Sequence, residues 1–211
     1  MKSHLIFIGA PGSGKGTQAS NLVSRKGFKQ VSTGDLLRGE IAKGTELGKE
    51  VKQVMDSGNL VGDDLVVRLL QANINLASDQ YIFDGYPRNL AQAETLDREV
   101  LKGSKSNAVY FEIDLNKLVE RLTNRRTCKD CGTIFNLISK KPKIEGVCDT
   151  CGSTNLVQRA DDKEDVIRNR LEVFQKSVDP VLDYYKKSNR LVVVDADKTE
   201  NDIFNKISSI L

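Results

Sequence analysis

The sequence contains no tryptophan and only one histidine among its 211 residues. Without tryptophan, the chain cannot build an aromatic cage or a base-stacking platform from indole rings. The single histidine, His4, would have to supply the base of any Ser-His-Asp mechanism, and it precedes an apolar run without a neighbouring partner. We therefore expect no such mechanism, and we expect His4 to lie at the surface or at the edge of a strand.

Long apolar runs and an excess of one charge are missing as well. The first apolar run, residues 5–8, is far shorter than a signal-peptide core or a membrane span, so we expect a cytoplasmic protein that does not cross a membrane. The chain has 32 Lys and Arg against 29 Asp and Glu, and its net charge of +3 is too small to indicate a protein that coats nucleic acid. Any surface that binds anions must therefore be local.

Short apolar runs alternate with helical patterns along the chain, which predicts an α/β fold: a central parallel five-stranded sheet flanked by helices. The apolar runs lie at residues 5–8, 81–83, 108–111 and 191–194, with a weaker one at 29–31. The helical patterns lie at residues 15–26, 34–43, 46–57, 63–77, 89–101, 116–126, 162–187 and 201–210. We expect Pro180 to interrupt or kink the helix at 162–187, because proline lacks the N–H that a helix interior needs.

Two stretches interrupt this alternation. Residues 127–158 contain all four cysteines and little helical period, which indicates a small irregular insertion. A second insertion, made of helices, is expected between the strand near residue 30 and the strand near residue 82.

A glycine-rich turn follows the first apolar run directly. Residues 9–17 read GAPGSGKGT, which is Gly-x4-Gly-Lys between an expected strand and an expected helix, the context of a phosphate-binding P-loop. Backbone N–H groups in such a loop point inward at a helix N-terminus and form a site for an anion. Lys15 adds a charge for the outer phosphates and Thr17 a hydroxyl near Mg²⁺, although the general pattern places Ser or Thr where this chain has Gly16.

The four cysteines form two pairs, Cys128-x2-Cys131 and Cys148-x2-Cys151, separated by sixteen residues. This spacing is typical of a structural zinc site, and four protein ligands leave no open position for catalysis. Two disulfides are the alternative, which a reducing cytosol disfavours. Fe²⁺ can occupy the same four thiolates, but tetrahedral thiolate ligation fits Zn²⁺ best.

Three further stretches follow the glycine-rich loop. Residues 32–38 read STGDLLR, residues 83–88 read FDGYPR with Gln92 after them, and residues 159–162 read RADD with Arg170 after them. Together with GAPGSGKGTQ at residues 9–18, these stretches resemble the motifs of the adenylate kinases, nucleoside monophosphate kinases, in the same order and over about residues 5–198. The cysteine pairs resemble those of the long-form members that carry zinc in their LID.

The resemblance implies a P-loop NTPase fold in three parts. These are a CORE at residues 1–31, 62–123 and 162–211, an AMP-binding segment at 32–61, and a zinc-containing LID at 124–161. It also implies the reversible, Mg²⁺-dependent reaction ATP + AMP ⇌ 2 ADP, carried out by electrostatic clamping and LID closure. The implied protein is a monomer with one structural Zn²⁺ per chain, whose partners are ATP, AMP and ADP, and it binds neither nucleic acid nor a membrane.

The resemblance further implies a role for individual residues. The positions for ATP are Gly12, Ser13, Gly14, Lys15, Gly16, Thr17, Arg125, Ile134, Phe135 and Lys198. The positions for AMP are Thr33, Arg38, Asn59, Leu60, Val61, Gly85, Tyr86, Pro87, Arg88, Gln92, Arg159 and Arg170. The catalytic set is Lys15, Asp84, Arg88, Arg125, Arg159 and Arg170.

Within these sets, Arg38 and Arg88 are expected to grip the AMP phosphate, and Arg125 to contact ATP from the edge of the LID. Arg159 and Arg170 are expected to bridge both nucleotides when the LID closes. Asp84, at the end of an apolar strand, is expected to orient water on Mg²⁺.

Two neighbours of these residues carry expectations from spacing and from local helix chemistry. Arg121 should share a helix face with Arg125, because residues four apart lie on one side of a helix. Thr33 can also serve as a helix N-cap, since it precedes an expected helix.

Phosphoryl transfer to a phosphate acceptor requires cationic residues rather than a general base. The second pKa of a phosphate is about 6, so the accepting phosphate is already largely a dianion at neutral pH. The difficulty is to bring two polyanions together, which arginine and lysine side chains can do by positioning and charge neutralisation.

Two other interpretations fit parts of the sequence. A UMP/CMP or guanylate-type kinase would share the P-loop, but Thr33 in the STGDLLR segment and the long cysteine LID favour AMP. A nucleic-acid-binding zinc ribbon fused to a nucleotide switch would use the basic residues Lys140, Lys141 and Lys143, which are otherwise a solvated loop.

Overall fold

The protein, a computed structural model, is described over residues 3–211, so residues 1 and 2 of the expected CORE lie outside the described residues. Five parallel strands form the central sheet in the order β2-β3-β1-β4-β8. They are β1 (His4–Gly9), β2 (Lys29–Ser32), β3 (Tyr81–Asp84), β4 (Ser106–Glu112) and β8 (Leu191–Asp195). All five strands predicted from the apolar runs are present, the weak one near residue 30 included.

Helices cover both faces of this sheet and form the expected helical insertion between β2 and β3. The α-helices are α1 (Lys15–Lys26), α2 (Thr33–Ala42), α3 (Glu46–Asp56), α4 (Asp63–Ala72), α5 (Leu90–Thr95), α6 (Leu118–Thr123), α7 (Glu164–Lys187) and α8 (Glu200–Ser208). A π-helical turn at Leu96–Leu101 extends α5, and 3-10 turns occupy Leu115–Lys117 and Ala160–Asp162.

The alternation of side chains along β1 creates two apolar layers. Leu5 and Phe7 face one layer, which α1 and α8 complete, whereas Ile6 and Ile8 face the other, which α4, α5 and α7 complete. Because both faces are covered, β1 is a continuous apolar run, as buried parallel strands generally are.

The topology places three loops at one edge of the sheet. Strands β1, β2 and β3 are parallel neighbours, so the segments that follow Gly9, Ser32 and Asp84 all leave from their carboxyl ends. In open α/β sheets, ligands bind at this edge, at the point where the strand order reverses.

The cysteine-containing insertion is more regular than its composition predicts. It contains β5 (Arg125–Cys128), β6 (Ile134–Asn136) and β7 (Leu156–Val157), which pair antiparallel in the order β6-β5-β7. These strands are four, three and two residues long, too short to show a period, which is why the sequence indicates only an irregular stretch.

Several helix expectations are corrected by the structure. The helix expected at 63–77 ends at Ala72, because Asn73 bonds back to Leu69 and Leu70 and closes the last turn. The helix expected at 116–126 ends at Thr123. Helix α7 runs through Pro180 without interruption, since its apolar face on both sides of the proline is buried.

His4 is the first residue of β1, so it lies at the end of a strand, but the surface position expected for it is wrong, and so is the helix face expected to be shared by Arg121 and Arg125. His4 is only 1% exposed, and its Nδ1 accepts a hydrogen bond from the Tyr81 N–H at 3.1 Å. Arg125 begins β5 rather than ending a helix, so Arg121 turns away and pairs with Asp197 at 3.1 Å.

No helix within residues 3–211 combines the length and the apolar character that a membrane span requires.

Candidate active site

A cavity of about 1480 Å³ lies at the carboxyl edge of the central sheet. Residues of the glycine-rich loop, of the segment at residues 32–61 and of the insertion at residues 124–161 all line it. We call these two segments the acceptor segment and the LID. A cavity of this size can hold more than one small ligand, because typical sites for a single drug-sized ligand measure about 300–1,000 Å³.

The glycine-rich loop turns sharply into α1. Gly14 has φ 95° at the N-cap of α1, a conformation that glycine adopts without steric cost. The first N–H groups of α1 have no partner within the helix and point toward the cavity end, where the helix dipole is positive. This end of the cavity is therefore built for an anion.

Lys15 lies in the centre of this loop. Its Nζ donates to the carbonyl oxygens of Gly9 at 2.7 Å and Ala10 at 2.9 Å. Burial lowers the pKa of Lys15 to about 8, although the carboxylate of Asp84 acts in the opposite direction. Lys15 is therefore a cation held in a desolvated position, where a polyphosphate would stabilise its charge.

Asp84 ends β3 beside Lys15. Burial raises the pKa of the Asp84 carboxyl, and the charge of Lys15 opposes that shift. The Nε2 of Gln30, on β2, donates to Asp84 Oδ2 at 2.9 Å and fixes the orientation of the carboxylate. A buried carboxylate that is oriented in this way can ligate a cation or a cation's water shell.

Two arginines lie on the acceptor side of the cavity. Arg38 pairs with Asp35 at 2.5 Å, and the Arg88 Nε donates to the carbonyl of Gly85 at 2.7 Å. Burial and the nearby charge of Arg170 lower the pKa of Arg88 to about 10. Arg88 forms no ion pair within residues 3–211, so its charge is available to an anion in the cavity.

Thr33 and Gln92 support this wall from behind. The Thr33 Oγ1 donates to the Gly85 carbonyl at 2.9 Å, and a Cβ on Gly85 would lie 3.0 Å from that hydroxyl oxygen, which explains the glycine. The N-cap of α2 is Ser32, whose Oγ accepts from the Asp35 N–H at 3.3 Å. The alternative assignment of Thr33 as the cap is therefore wrong.

Two carboxylates at the end of the LID orient two further arginines. Arg125 binds Asp162 through two parallel hydrogen bonds of 2.8 and 2.6 Å, and the Asp162 side chain is fully buried. Arg170, on α7, pairs with Asp161 at 2.8 Å. Burial opposes ionisation of Asp161, but Arg170 and the other arginines outweigh it and hold the Asp161 pKa below its usual value.

Arg159 approaches the cavity from the LID without a carboxylate partner in the described part of the chain. Its Nε donates to the Thr127 Oγ1 at 3.0 Å. Burial and repulsion from Arg125 lower its pKa to about 10. Arg88 and Arg159 therefore both line the cavity with charge that no ion pair within residues 3–211 neutralises.

Adjacent residues of helix α7 contact the acceptor segment and the end of the LID. The Asn169 Nδ2 donates to the carbonyl of Ser57, in the acceptor segment, at 2.6 Å. Its neighbour Arg170 pairs with Asp161 at the end of the LID. The acceptor segment and the end of the LID are therefore both bonded to one turn of α7.

The structure brings most of the sequence-predicted residues to this one cavity. The lining includes Gly12, Ser13, Gly14, Lys15, Gly16, Thr17, Arg38, Leu60, Asp84, Gly85, Pro87, Arg88, Arg125, Ile134, Phe135, Arg159, Arg170 and Lys198. Five predicted positions are not part of the lining: Thr33, Asn59, Val61, Tyr86 and Gln92. Ile134 reaches over the loop, since a Cβ on Gly16 would lie 3.4 Å from its Cδ1.

Sequence reasoning missed residues that orient the side chains of this site. Gln30, Thr127 and Asp162 each hold a lining side chain, yet Asp162 is 37 residues from Arg125 and Gln30 is 54 residues from Asp84. The acidic pair Asp161-Asp162, which follows Arg159 after one alanine, was the one available signal. The other two lie in short strands that carry no motif.

The four cysteines form a compact cluster in the LID. Their Sγ atoms all lie within 4.8 Å of one another, with 3.6 Å between Cys128 and Cys151 and 3.5 Å between Cys131 and Cys148. Tetrahedral Zn²⁺ with bonds of about 2.3 Å requires sulfur separations of about 3.8 Å, which the cluster approaches closely. All four cysteines are free thiols, so the cluster fits a metal ion rather than two disulfides.

The turns of this cluster place the thiols. The Gly132 N–H donates to the Cys128 carbonyl and the Gly152 N–H to the Cys148 carbonyl, both at 2.9 Å. These equivalent bonds fold each Cys-x2-Cys pair into the same tight turn, so that the two sulfurs of a pair converge.

Comparisons with known proteins agree with the site. The sequence model of a family described as "Adenylate kinase" matches residues 7–190. Curated proteins named "Adenylate kinase" are similar over nearly the whole chain. That of Thermodesulfovibrio yellowstonii is 46% identical, with 98% of each chain covered. Those of Archaeoglobus fulgidus and Fervidobacterium nodosum are 44% and 42% identical, each match covering 99% of this chain and 97% of the relative.

Proposed function

The chain belongs to the adenylate kinase family, and we propose that it catalyses the reversible transfer of a phosphoryl group from MgATP to AMP, ATP + AMP ⇌ 2 ADP, in the cavity described above. The observation that carries the proposal is the arrangement of cations. Lys15 of the P-loop and the guanidinium groups of Arg38, Arg88, Arg125, Arg159 and Arg170 all line this one cavity. Two phosphate-bearing ligands can therefore be held together there.

In this reaction an oxygen of the AMP phosphate attacks the γ-phosphorus of ATP. The bond from that phosphorus to the β–γ bridging oxygen breaks, and ADP leaves with the electron pair. Because the attacking oxygen already carries charge, no side chain has to remove a proton. The residues contribute position and charge neutralisation, which carry most of the catalysis in phosphoryl transfer.

The donor half of the site binds the ATP phosphates. The N–H groups at the start of α1 and the Lys15 ammonium would hold the β- and γ-phosphates, with Thr17 and the buried Asp84 facing the cation of MgATP. The magnesium ion, as part of the substrate, neutralises charge on the phosphates and stabilises the leaving ADP. Ile134, Phe135 and Lys198 line the outer part of the cavity, where the adenine of ATP would lie.

The acceptor half binds AMP. Arg38 and Arg88 present unpaired N–H groups on the wall where the AMP phosphate would lie, and Gly85, Pro87 and Leu60 line the space beside it. Of the predicted AMP residues, Thr33 and Gln92 hold this wall from behind in the structure. We propose that their contribution to AMP binding includes this support.

The LID completes the site. Its arginine, Arg159, and Arg125 at its edge bring charge to the transferred group, and its body covers the phosphates and excludes water that would otherwise hydrolyse ATP. We propose a division into a CORE at 1–31, 62–123 and 162–211, an acceptor segment at 32–61 and a LID at 124–161.

We also propose one structural Zn²⁺ per chain, held by Cys128, Cys131, Cys148 and Cys151. The convergence of four thiols supports it, and a full set of four protein ligands leaves the ion no position for substrate. When bound, the ion cross-links the two cysteine turns. Persistence of the free thiols is expected in a reducing cytoplasm, which is the location that we propose.

The experiment is a coupled assay of the purified protein with MgATP and each of AMP, UMP, CMP and GMP, together with metal analysis. We expect turnover with AMP to exceed that with the other acceptors by at least about 100-fold. Preferred phosphorylation of UMP or CMP would reject the acceptor assignment, and a protein without about one zinc per chain would reject the metal assignment.

A further inference from the structure

We propose that Asp63 is a positioning residue for the acceptor half of the site. It fixes the orientation of the Gln92 side-chain amide, and through that amide it holds the backbone of Arg88. The inference rests on the proposed function for its kinetic test only, because the structural link itself does not depend on which nucleotide binds.

The link consists of two hydrogen bonds through one buried amide. The Gln92 Oε1 accepts from the Arg88 N–H at 2.7 Å, and the Gln92 Nε2 donates to the Asp63 Oδ1 at 2.5 Å. The Gln92 backbone N–H is also engaged, since it donates to the Asn89 Oδ1 at 2.8 Å. Gln92 is 2% exposed, so water cannot readily replace either side-chain bond.

The chemistry of the two neighbours admits one orientation of the amide. An ionised carboxylate only accepts hydrogen bonds, whereas a backbone N–H only donates one. If the amide were flipped, its oxygen would face the Asp63 carboxylate and its NH₂ would face the Arg88 N–H, and both contacts would be repulsive. Asp63 therefore stabilises the orientation that lets Gln92 hold Arg88.

The position of Asp63 along the chain connects two parts of the site. It is the first residue of α4, directly after the acceptor segment, and it lies 29 residues before Gln92. Arg88 lines the cavity, and the loop from Gly85 to Arg88 is anchored at its two ends by Thr33 and Gln92. Loss of one anchor would let the Arg88 guanidinium move relative to the acceptor phosphate.

A simpler role for Asp63 is that of a negative charge at the N-terminus of α4, where it stabilises the helix through its favourable interaction with the helix dipole. The chain offers a matched control for this role. Asp64 lies in the same first turn of α4, is exposed, and has no bond to Gln92. A dipole effect should be similar for the two residues, whereas a positioning effect should belong to Asp63 alone.

The kinetic experiment compares Asp63→Ala, Asp63→Asn and Asp64→Ala. For Asp63→Ala we expect the KM for AMP to rise at least about fivefold, while the KM for MgATP stays within about twofold of wild type. Asp63→Asn keeps an oxygen that can accept from Gln92, so it should restore most of the AMP affinity. Asp64→Ala should leave both KM values unchanged, and equal KM effects of Asp63→Ala and Asp64→Ala would overturn the proposal.

A double variant tests whether Asp63 acts through Gln92. In a Gln92→Leu background the link is already broken from its other end, so Asp63→Ala should raise the KM for AMP no further. Additive effects of the two substitutions would mean that Asp63 acts by another route, and would overturn the proposal.

Amide hydrogen exchange measured by NMR on the full chain separates this proposal from the proposed function, because it needs no substrate. We expect the Arg88 N–H to exchange at least about tenfold faster in Asp63→Ala than in wild type, and to be unchanged in Asp64→Ala. An unchanged Arg88 exchange rate would overturn the positioning role whatever the kinetics show. A wild-type protein that does not phosphorylate AMP would instead reject the function, and the exchange result would stand.

Discussion

The two apolar layers on the faces of the central sheet contain 17 and 13 buried residues, whereas the buried cluster of the LID contains only Cys128, Phe135 and Cys148. The CORE can offset the entropy of ordering its chain by apolar burial, but a single buried phenylalanine cannot do so for the LID. The LID has four convergent thiols in place of a core. From this comparison we expect the two regions to have separate tasks, with the chemistry in the CORE and its phosphate-binding loop, and the four-cysteine cluster serving to hold the LID together.

The largest effect should come from removing a charge that the CORE contributes to the cavity. Lys15→Ala and Arg88→Ala should each lower turnover by about 10²–10³-fold, which is typical for loss of one preorganised electrostatic contact. Neither side chain belongs to an apolar layer, so the melting temperature should stay within about 3 °C of wild type. Steady-state kinetics and calorimetry check this, and wild-type turnover in either folded variant would contradict the assigned roles.

The protonation of Lys15 predicts a pH dependence of MgATP binding that should come from the CORE and not from the LID. Its pKa is lowered to about 8 by burial, so the charged form that binds phosphate is complete below about pH 7 and is lost as the pH rises through 8. The KM for MgATP should therefore rise above pH 8, with a limiting slope of about tenfold per pH unit for a single proton. Lys15→Arg keeps its charge in this range, so a rise that persists in that variant would assign the titration to another group.

The metal cluster should affect stability more than chemistry. Cys148→Ala should abolish zinc binding, lower the melting temperature by at least about 5 °C and reduce turnover about tenfold without eliminating it, because the ion has no open position for substrate. Thr150→Ala, at an exposed position between two ligands, is the control and should retain zinc. Loss of zinc without a change in melting temperature would refute the structural role. Complete loss of turnover without a change in melting temperature would indicate that the ion takes part directly in phosphoryl transfer.

The smallest effect should come from a contact between the two regions. Lys140 of the LID pairs with Glu200 of α8 at 3.1 Å, and both side chains are about half exposed. Exposed ion pairs contribute about 0.2–1 kcal/mol, so Glu200→Gln should raise the KM for MgATP about twofold at low salt and not at all at high salt. Glu172→Gln removes a comparable exposed pair on α7 away from the LID and should change nothing. A change in the KM for MgATP that does not depend on salt would show that Glu200 acts by a route other than its ion pair with Lys140.

Sequence patterns predicted correctly those structures that depend on residues close together along the chain. An apolar run followed by a glycine-rich turn and a helix gave β1, the loop and α1 together, because that sequence of residues has few other structures available. The spacing of the cysteines likewise predicted their convergence. Each of these predictions depends on residues within about twenty positions of one another.

The rest depended on partners that are distant in the sequence. No local pattern indicates that Arg125 pairs with Asp162 or that Gln30 orients Asp84. The strands of the LID were missed because two or three residues are too few to show a period. Long-range partnerships are decided by how the elements pack, which a single sequence does not display.

Adjacent residues of α7 hold the two segments, Asn169 the acceptor segment and Arg170 the end of the LID, so we expect the two proposed nucleotide sites to be thermodynamically linked. A nucleotide that stabilises one segment against α7 also biases the position of the other. Linkage requires each nucleotide to change the affinity for the other by the same factor, and couplings of this kind are typically about 1–3 kcal/mol, or about 5–150-fold. We therefore expect a helix that carries no part of the phosphate loop to make donor and acceptor reciprocal effectors.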